Sequence, residues 1–285
     1  MTIEEALRYL TLQLHTIYPE QEASAVADWV MEHVTHQKKI ERVINKNLPL
    51  SVRQELELKT ISEQLLQNKP IQYILKEAWF AGMNFYVDEH VLIPRPETEE
   101  LVEWIKDEVK SITPEIKNII DIGTGSGCIA IALKNKLPNI TITAVDVSEK
   151  AIEVAKKNAR LLKAEINFTT FDFLQEKNWQ SVAQFDIIVS NPPYIKLSEK
   201  EQMHNNVTEY EPHTALFVPD DSALLFYKKI AAFAQQYLNP QGIIFIEINE
   251  ALGDETLLVF NQIGFVAELR KDMQGKNRMI KAMKK

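Results

Sequence analysis

The sequence predicts an α/β protein: a mostly parallel sheet with helices on both faces, preceded by a small N-terminal helical domain and a connecting β-hairpin. Three observations carry this. From Lys117 onward, short apolar runs (NIIDIG, TITAVDV, INFTTFD, FDIIVS, GIIFIEI) alternate with helical stretches, the pattern of strands buried on both faces. Before about residue 75 the apolar residues recur instead at helical spacing. Between the two textures, WFAGMNFYVDEHVLI is rich in aromatic and β-branched residues, with Gly82 placed for a turn, and reads as a hairpin.

Taken in order, Ile3, Leu7, Leu10, Leu14 and Ile17 share one helical face, and Thr2 with Glu5 has capping-box spacing. Further apolar sets follow at Ala23, Val26, Ala27 and Val30, at Ile40, Val43 and Ile44, and at Val52, Leu56, Ile61 and Leu65, punctuated by Pro19, Pro49 and Pro70. Residues 1–75 are therefore expected to form a helical bundle, either a stabilising cap or a substrate-recognition module. Residues 76–95 form the hairpin linker and 96–285 the sheet domain. The last two runs, GFVAELR and RMIKAM, are joined too closely for a covering helix, so they pair antiparallel.

Composition narrows the function. With 285 residues, 45% of them hydrophobic and 25% charged, the chain buries a substantial core. Its net charge of −8 supplies no general attraction to a phosphate backbone, so direct nucleic-acid binding is disfavoured. Cys128 is the single cysteine, which excludes an internal disulfide and a cysteine metal site. The six histidines form no ligand-spaced cluster, and His33 and His36 read as solvated, so no metal is expected. The start of the chain lacks the basic-then-apolar layout of a signal peptide, and no apolar run approaches the roughly 18 residues of a membrane span. A cytoplasmic location is expected.

The segment Asp121-Ile122-Gly123-Thr124-Gly125-Ser126-Gly127-Cys128 follows an apolar strand and opens an apolar helix, an arrangement that brings a ligand onto backbone N–H groups. Its G-x-G-x-G spacing departs from the G-x-G-x-x-G of dinucleotide binders, whose third glycine would fall at Cys128. Asp146 ends the second strand, where a carboxylate accepts from both hydroxyls of a ribose. Together these point to an adenosine-containing cofactor held by Gly123, Thr124, Gly125, Ser126, Gly127 and Asp146. Asp172, expected to end the third strand, stands near the place of an adenine amino group, with Phe173 flanking the base. The competing reading is a plain turn with Asp146 and Asp172 as helix caps.

Ser190-Asn191-Pro192-Pro193-Tyr194 follows the fourth strand, at the same carboxyl edge as the glycine loop. The two prolines fix the backbone and remove donors, leaving carbonyl oxygens to accept. An amide nitrogen is a poor nucleophile, but the methyl of a sulfonium cofactor is already activated. If Asn191 Oδ1 and the Pro192 carbonyl each accept one N–H of a planar target, they aim its nitrogen and stabilise the charge that develops on it. Tyr194 would stack on the planar group. Asn191, Pro192 and Tyr194 are thus the candidate catalytic residues, and Asn191 to Tyr194 the candidate substrate contacts. A rigid surface turn is the bland alternative.

Over nearly the whole chain the residues resemble the release-factor glutamine methyltransferases, the PrmC/HemK family. Besides the loop and NPPY, the resemblance rests on VLIPRPETEELV at 91–102, EPHTALF at 211–217, QGIIFIEI at 241–248 and DMQGKNRMI at 272–280. It implies a Rossmann-like class I methyltransferase sheet. It also implies S-adenosylmethionine-dependent N5-methylation of the glutamine in the Gly-Gly-Gln loop of class I peptide-chain release factors. Family cofactor contacts carry onto Gly123 to Gly127, Asp146, Phe173 and Asn191, and substrate contacts onto Asn191 to Tyr194. Two departures, Lys76 and Asn249 where glycines are expected, bear on loop geometry and not on the chemistry. A glutamine methyltransferase of ribosomal protein uL3 shares NPPY, but the unbroken IPRPETE at 93–99 favours the release-factor branch. A DNA adenine-N6 methyltransferase would use the same chemistry on a flipped base, against which stand the acidity and the lack of a basic target-recognition segment. A non-enzymatic adenosine-binding regulator would have no need of Asn191 and Tyr194.

Overall fold

Thr2 and Glu5 close the expected capping box, Thr2 N–H donating to Glu5 Oε2 at 2.8 Å and Glu5 N–H to Thr2 Oγ1 at 3.2 Å. In this computed structural model, which describes residues 1–111 and 116–285, that box opens the first of two units. The unit comprises α1 (Ile3–Leu14), α2 (Glu20–Thr35), α3 (Lys39–Ile44), α4 (Val52–Leu66) and α5 (Ile71–Leu75), together with the later segment His204–Tyr210. Its core is built from Ile3, Leu10, Leu14, Val30, Met31, Leu58, Ile61 and Leu65.

One expected face is reversed. Ile40, Val43 and Ile44 of α3 are exposed, as are Val52 and Leu56 at the start of α4, and the side chain α3 buries is Arg42. Arg42 forms an ion pair with Asp28 and donates to the Gln37 carbonyl at 2.6 Å. Satisfying both groups takes the inward face of this six-residue helix, and its apolar residues turn to solvent.

The second unit, Glu77–Met203 with Glu211–Lys285, begins with the hairpin β1 (Ala78–Phe80) and β2 (Met83–Phe85). The hairpin is shorter than its sequence suggests: beyond Phe85 the chain leaves the ladder. There follow α6 (Pro96–Ser111), β3 (Asn118–Ile122), α7 (Cys128–Lys136), β4 (Thr141–Asp146), α8 (Glu149–Leu161), β5 (Asn167–Thr170), β6 (Phe185–Ser190) and β7 (Ile195–Lys196). Then come α9 (Asn205–Tyr210, within the first unit), α10 (His213–Leu216), β8 (Phe217–Val218), α11 (Leu225–Tyr237), β9 (Leu238–Glu247), α12 (Gly253–Gln262), β10 (Phe265–Lys271) and β11 (Asn277–Lys284).

Among the described residues, seven strands form one sheet in the order β10-β11-β9-β6-β3-β4-β5. Strands β3, β4, β5, β6 and β9 run parallel, and β11 is antiparallel to both its neighbours. The unbroken apolar runs serve two faces. Ile187, Val189, Ile243 and Phe245 pack with α6 and α7, whereas Ile188, Ile244 and Ile246 pack with α11 and α12. Strand β3 lies inside the sheet with its successors on one side and β6 on the other, so a crevice opens at the carboxyl ends, where ligands of such sheets bind. No helix among the described residues is long and apolar enough to cross a membrane.

Candidate active site

The glycine loop is hung from the neighbouring strand: Gly123 and Thr124 N–H groups donate to the Val145 carbonyl at 2.9 and 3.0 Å. Gly123, Gly125 and Gly127 have φ of 74°, 54° and 80°, a left-handed path that other residues take only under strain. At Gly127 a side chain would also meet Ala155 Cβ at 3.1 Å. Thr124 Oγ1 donates to buried Asp121 Oδ2 at 2.6 Å, and the Ser126 carbonyl accepts from Asn158 Nδ2 at 2.9 Å. Asn158 also exchanges two hydrogen bonds with the backbone of Tyr86, joining the loop to the tail of the hairpin.

Asp146 ends β4 as expected. Its Oδ2 accepts from Gly125 N–H and its Oδ1 from Ser148 N–H, both at 2.9 Å. The helix cap proper is Ser148, which accepts from Ala151 N–H at 3.2 Å. Burial pushes the Asp146 carboxyl above its ordinary value, against the pull of those N–H bonds. Each carboxylate oxygen keeps a second lone pair, which is what two ribose hydroxyls require.

A cavity of about 380 Å³ sits at the carboxyl ends of the strands, within the size range of small-molecule sites. It brings together Gly123, Gly125, Asp146, Asp172, Phe173, Asn191, Pro192 and Pro193. Thr124, Ser126, Gly127 and Tyr194 are not in its lining. Asp172 stands two residues past β5, where its Oδ1 accepts from Leu174 N–H at 2.9 Å. Phe173 is backed by Trp179 and Phe233, with ring centroids 5.5 and 5.3 Å away. A second hollow of about 760 Å³ lies at the opposite edge, where Thr141, Ile142, Asn167 and Phe168 begin β4 and β5. It holds none of the site residues expected from sequence.

Asn191 follows β6, anchored where Ser190 Oγ donates to the Ile122 carbonyl at 2.7 Å. Its Nδ2 donates to Thr98 Oγ1 at 3.1 Å, which leaves Oδ1 as the atom to accept. Tyr194 Oη donates to Glu247 Oε1 at 3.0 Å, and burial beside that acid raises its phenol well above the usual value. Asn249 donates from Nδ2 to the Tyr194 carbonyl at 3.2 Å and caps Ala251 N–H with Oδ1. This departure from the family pattern therefore touches the candidate catalytic motif, which the sequence reading had not expected. Lys76 has φ 60°, the left-handed cap that makes glycine the expected residue.

Two further segments line the cavity, one with His90, Val91 and Leu92 and the other with Pro212, Thr214, Ala215 and Phe217. Glu211, nearly sealed from solvent, joins them: Oε1 meets Arg95 at 2.6 Å and Oε2 accepts from Ile93 N–H at 3.2 Å. Burial raises the Glu211 carboxyl and Arg95 opposes that rise. Asp88, Glu89 and His90 also gather ligand-type atoms within 4.8 Å, but Asp88 Oδ1 already accepts from His90 N–H at 3.1 Å in a tight turn.

Comparison with known proteins bears on this arrangement. The description "Methyltransferase small domain" matches residues 98–210, and "PrmC N-terminal domain" matches residues 5–75. A release factor glutamine methyltransferase of Flavobacterium psychrophilum is 46% identical over 94% of both chains. The chain belongs to the release factor glutamine methyltransferase family. A second member, from Bacteroides thetaiotaomicron, is 40% identical over 96% of this chain and 97% of that one. A methyltransferase structure from Pyrococcus furiosus, 19% identical with a TM-score of 0.50 over 80% of this chain and all of that one, shares the fold. In this glutamine methyltransferase the residues that sequence reasoning passed over are Thr98, Glu211, Glu247 and Asn158. The first three sit inside the conspicuous motifs IPRPETE, EPHTALF and FIEI, a signal that marked the segments without assigning the side chains.

Proposed function

We propose that the protein methylates the side-chain nitrogen of the glutamine in the Gly-Gly-Gln motif of class I peptide-chain release factors, with S-adenosylmethionine as donor. One observation carries the reading: Asn191, its Nδ2 engaged by Thr98, lines the same cavity as the glycine loop and Asp146. The residues suit the donor. Asp146 offers free lone pairs for the ribose, Phe173 an apolar wall for the base, and the left-handed loop close backbone approach. When bound, S-adenosylmethionine supplies an activated methyl group.

The chain's own residues do the rest. Asn191 Oδ1 and the Pro192 carbonyl accept the two N–H bonds of a planar carboxamide and fix its rotation. The same acceptors gain strength as positive charge develops on the nitrogen, so they bind the transition state better than the ground state. Glycines beside the target glutamine let its backbone enter a narrow site. The names of the relatives, which cover nearly the whole chain, support a release factor over uL3 or DNA as substrate.

The test is to treat a full-length release factor, ribosomal protein uL3 and duplex DNA separately with enzyme and isotope-labelled donor, and to analyse each by mass spectrometry. A single methyl on the Gly-Gly-Gln glutamine is expected. Label in adenine or in uL3, with the release factor unmodified, would reverse the assignment.

A further inference from the structure

Glu247, at the end of β9, is 1% exposed and touches the two halves of the catalytic motif by different routes. Thr98 Oγ1, in the first turn of α6, donates to Glu247 Oε2 at 2.7 Å and accepts from Asn191 Nδ2 at 3.1 Å. Tyr194 Oη donates to the other oxygen at 3.0 Å. Arg278 lies close enough to favour the carboxylate, but its own ion pairs go to Asp272 and Glu250.

With Glu247 ionised, the order of protons along this chain is forced. A hydroxyl carries one proton, and Thr98 gives its proton to an oxygen that, as carboxylate, cannot donate back. Thr98 therefore accepts from its other neighbour, and Asn191 must turn Nδ2 inward and Oδ1 toward the cavity. Nothing in the shape of an asparagine decides this, because its two amide ends are nearly isosteric. The flipped amide would face the target NH₂ with another NH₂, donor against donor.

We propose that Glu247 is a positioning residue: as a carboxylate accepting at both oxygens it sets the amide orientation of Asn191 through Thr98 and holds the Tyr194 phenol directly. The proposal rests on the reading of Asn191 as the acceptor for the target nitrogen. Glu247 itself is absent from the cavity lining, so its effect on turnover passes through the two residues it holds.

The experiment uses the full-length enzyme and release factor, comparing E247Q, T98V, T98S, N191A and the E247Q/T98V double variant. A glutamine at 247 can accept from only one of the two hydroxyls, so one arm of the network loses its direction. Turnover at saturating substrates should fall about tenfold or more in E247Q and in T98V, while calorimetric affinity for S-adenosylmethionine stays within about twofold. T98S, which keeps the hydroxyl, should recover most of what T98V loses. The double variant should lose less than the product of the single losses, because both act on Asn191. Wild-type turnover in E247Q, or T98S no better than T98V, overturns the proposal. If E247Q does not fold, the Thr98 pair decides, since valine is nearly isosteric with threonine. N191A losing turnover while E247Q and T98V keep it would overturn the positioning role alone, whereas N191A at wild-type turnover would remove the reading beneath it.

Discussion

Asp121 lies under the glycine loop, sealed from solvent, with Oδ2 held by Thr124 and Oδ1 without a hydrogen-bond partner among the described residues. Burial pushes its carboxyl from 3.8 up to about 7, with Thr124 pulling the other way. The folded state thus holds this proton more tightly than the unfolded chain does. Its contribution is fully present below pH 3.8 and is lost as pH rises through about 7, by on the order of 4 kcal/mol. Asp146, Glu211 and Glu247 are raised in the same sense. D121N, neutral at every pH, should flatten part of the decline in urea midpoint between pH 4 and 7. A variant curve that tracks the wild type would show that Asp121 is not its source. At this scale the sequence reveals residues whose role follows from local position, such as Asp146 after its strand or Asn191 before two prolines. Thr98 and Glu247 were illegible because their partners lie 93 and 149 residues away along the chain, and only the folded sheet edge brings them together.

Among the elements, β9 shows how a strand can be evident while its path is not. Phe185 pairs with Leu238 but Ile187 with Ile243, so four residues of β9 bulge out opposite one residue of β6. Asn239 Nδ2 fastens the bulge to Asp186 Oδ1 at 2.6 Å, and the other oxygen of that acid accepts from the Lys117 and Asn118 N–H groups. Closing the bulge brings Gly242 against its own strand, where a Cβ would stand 2.6 Å from Leu238 and 2.9 Å from the Asp186 carbonyl. Gly242→Ala should therefore cost about 1–3 kcal/mol, read as a lower midpoint of urea unfolding with unchanged slope. An unshifted midpoint would mean that Leu238 yields without cost. Buried strands were legible because their all-apolar runs are short and alternate with helical stretches. Helix α3 was misread because periodicity reports that a face is apolar, not which way it points, and a buried ion pair at Arg42 decided that.

For the molecule as a whole, we propose that the exposed Ile44 (76%) and Val52 (84%) of the first unit help to hold a protein substrate. Lysine at both positions should raise KM for an intact release factor and leave KM for a short Gly-Gly-Gln peptide unchanged. Equal effects on the two would remove recognition from this surface. The order of the large sheet carries a different consequence, one in time. Strand β11 is the last of the seven to be synthesised, yet it lies between β9 and β10 and, among the described residues, is the only neighbour that either β10 or the outer edge of β9 has in the sheet. Until it emerges, β9, from whose end Glu247 projects, must wait with an unpaired and strongly apolar edge, an invitation to associate with other chains. A nascent chain halted before Asn277 is therefore expected to aggregate more readily than the full-length protein.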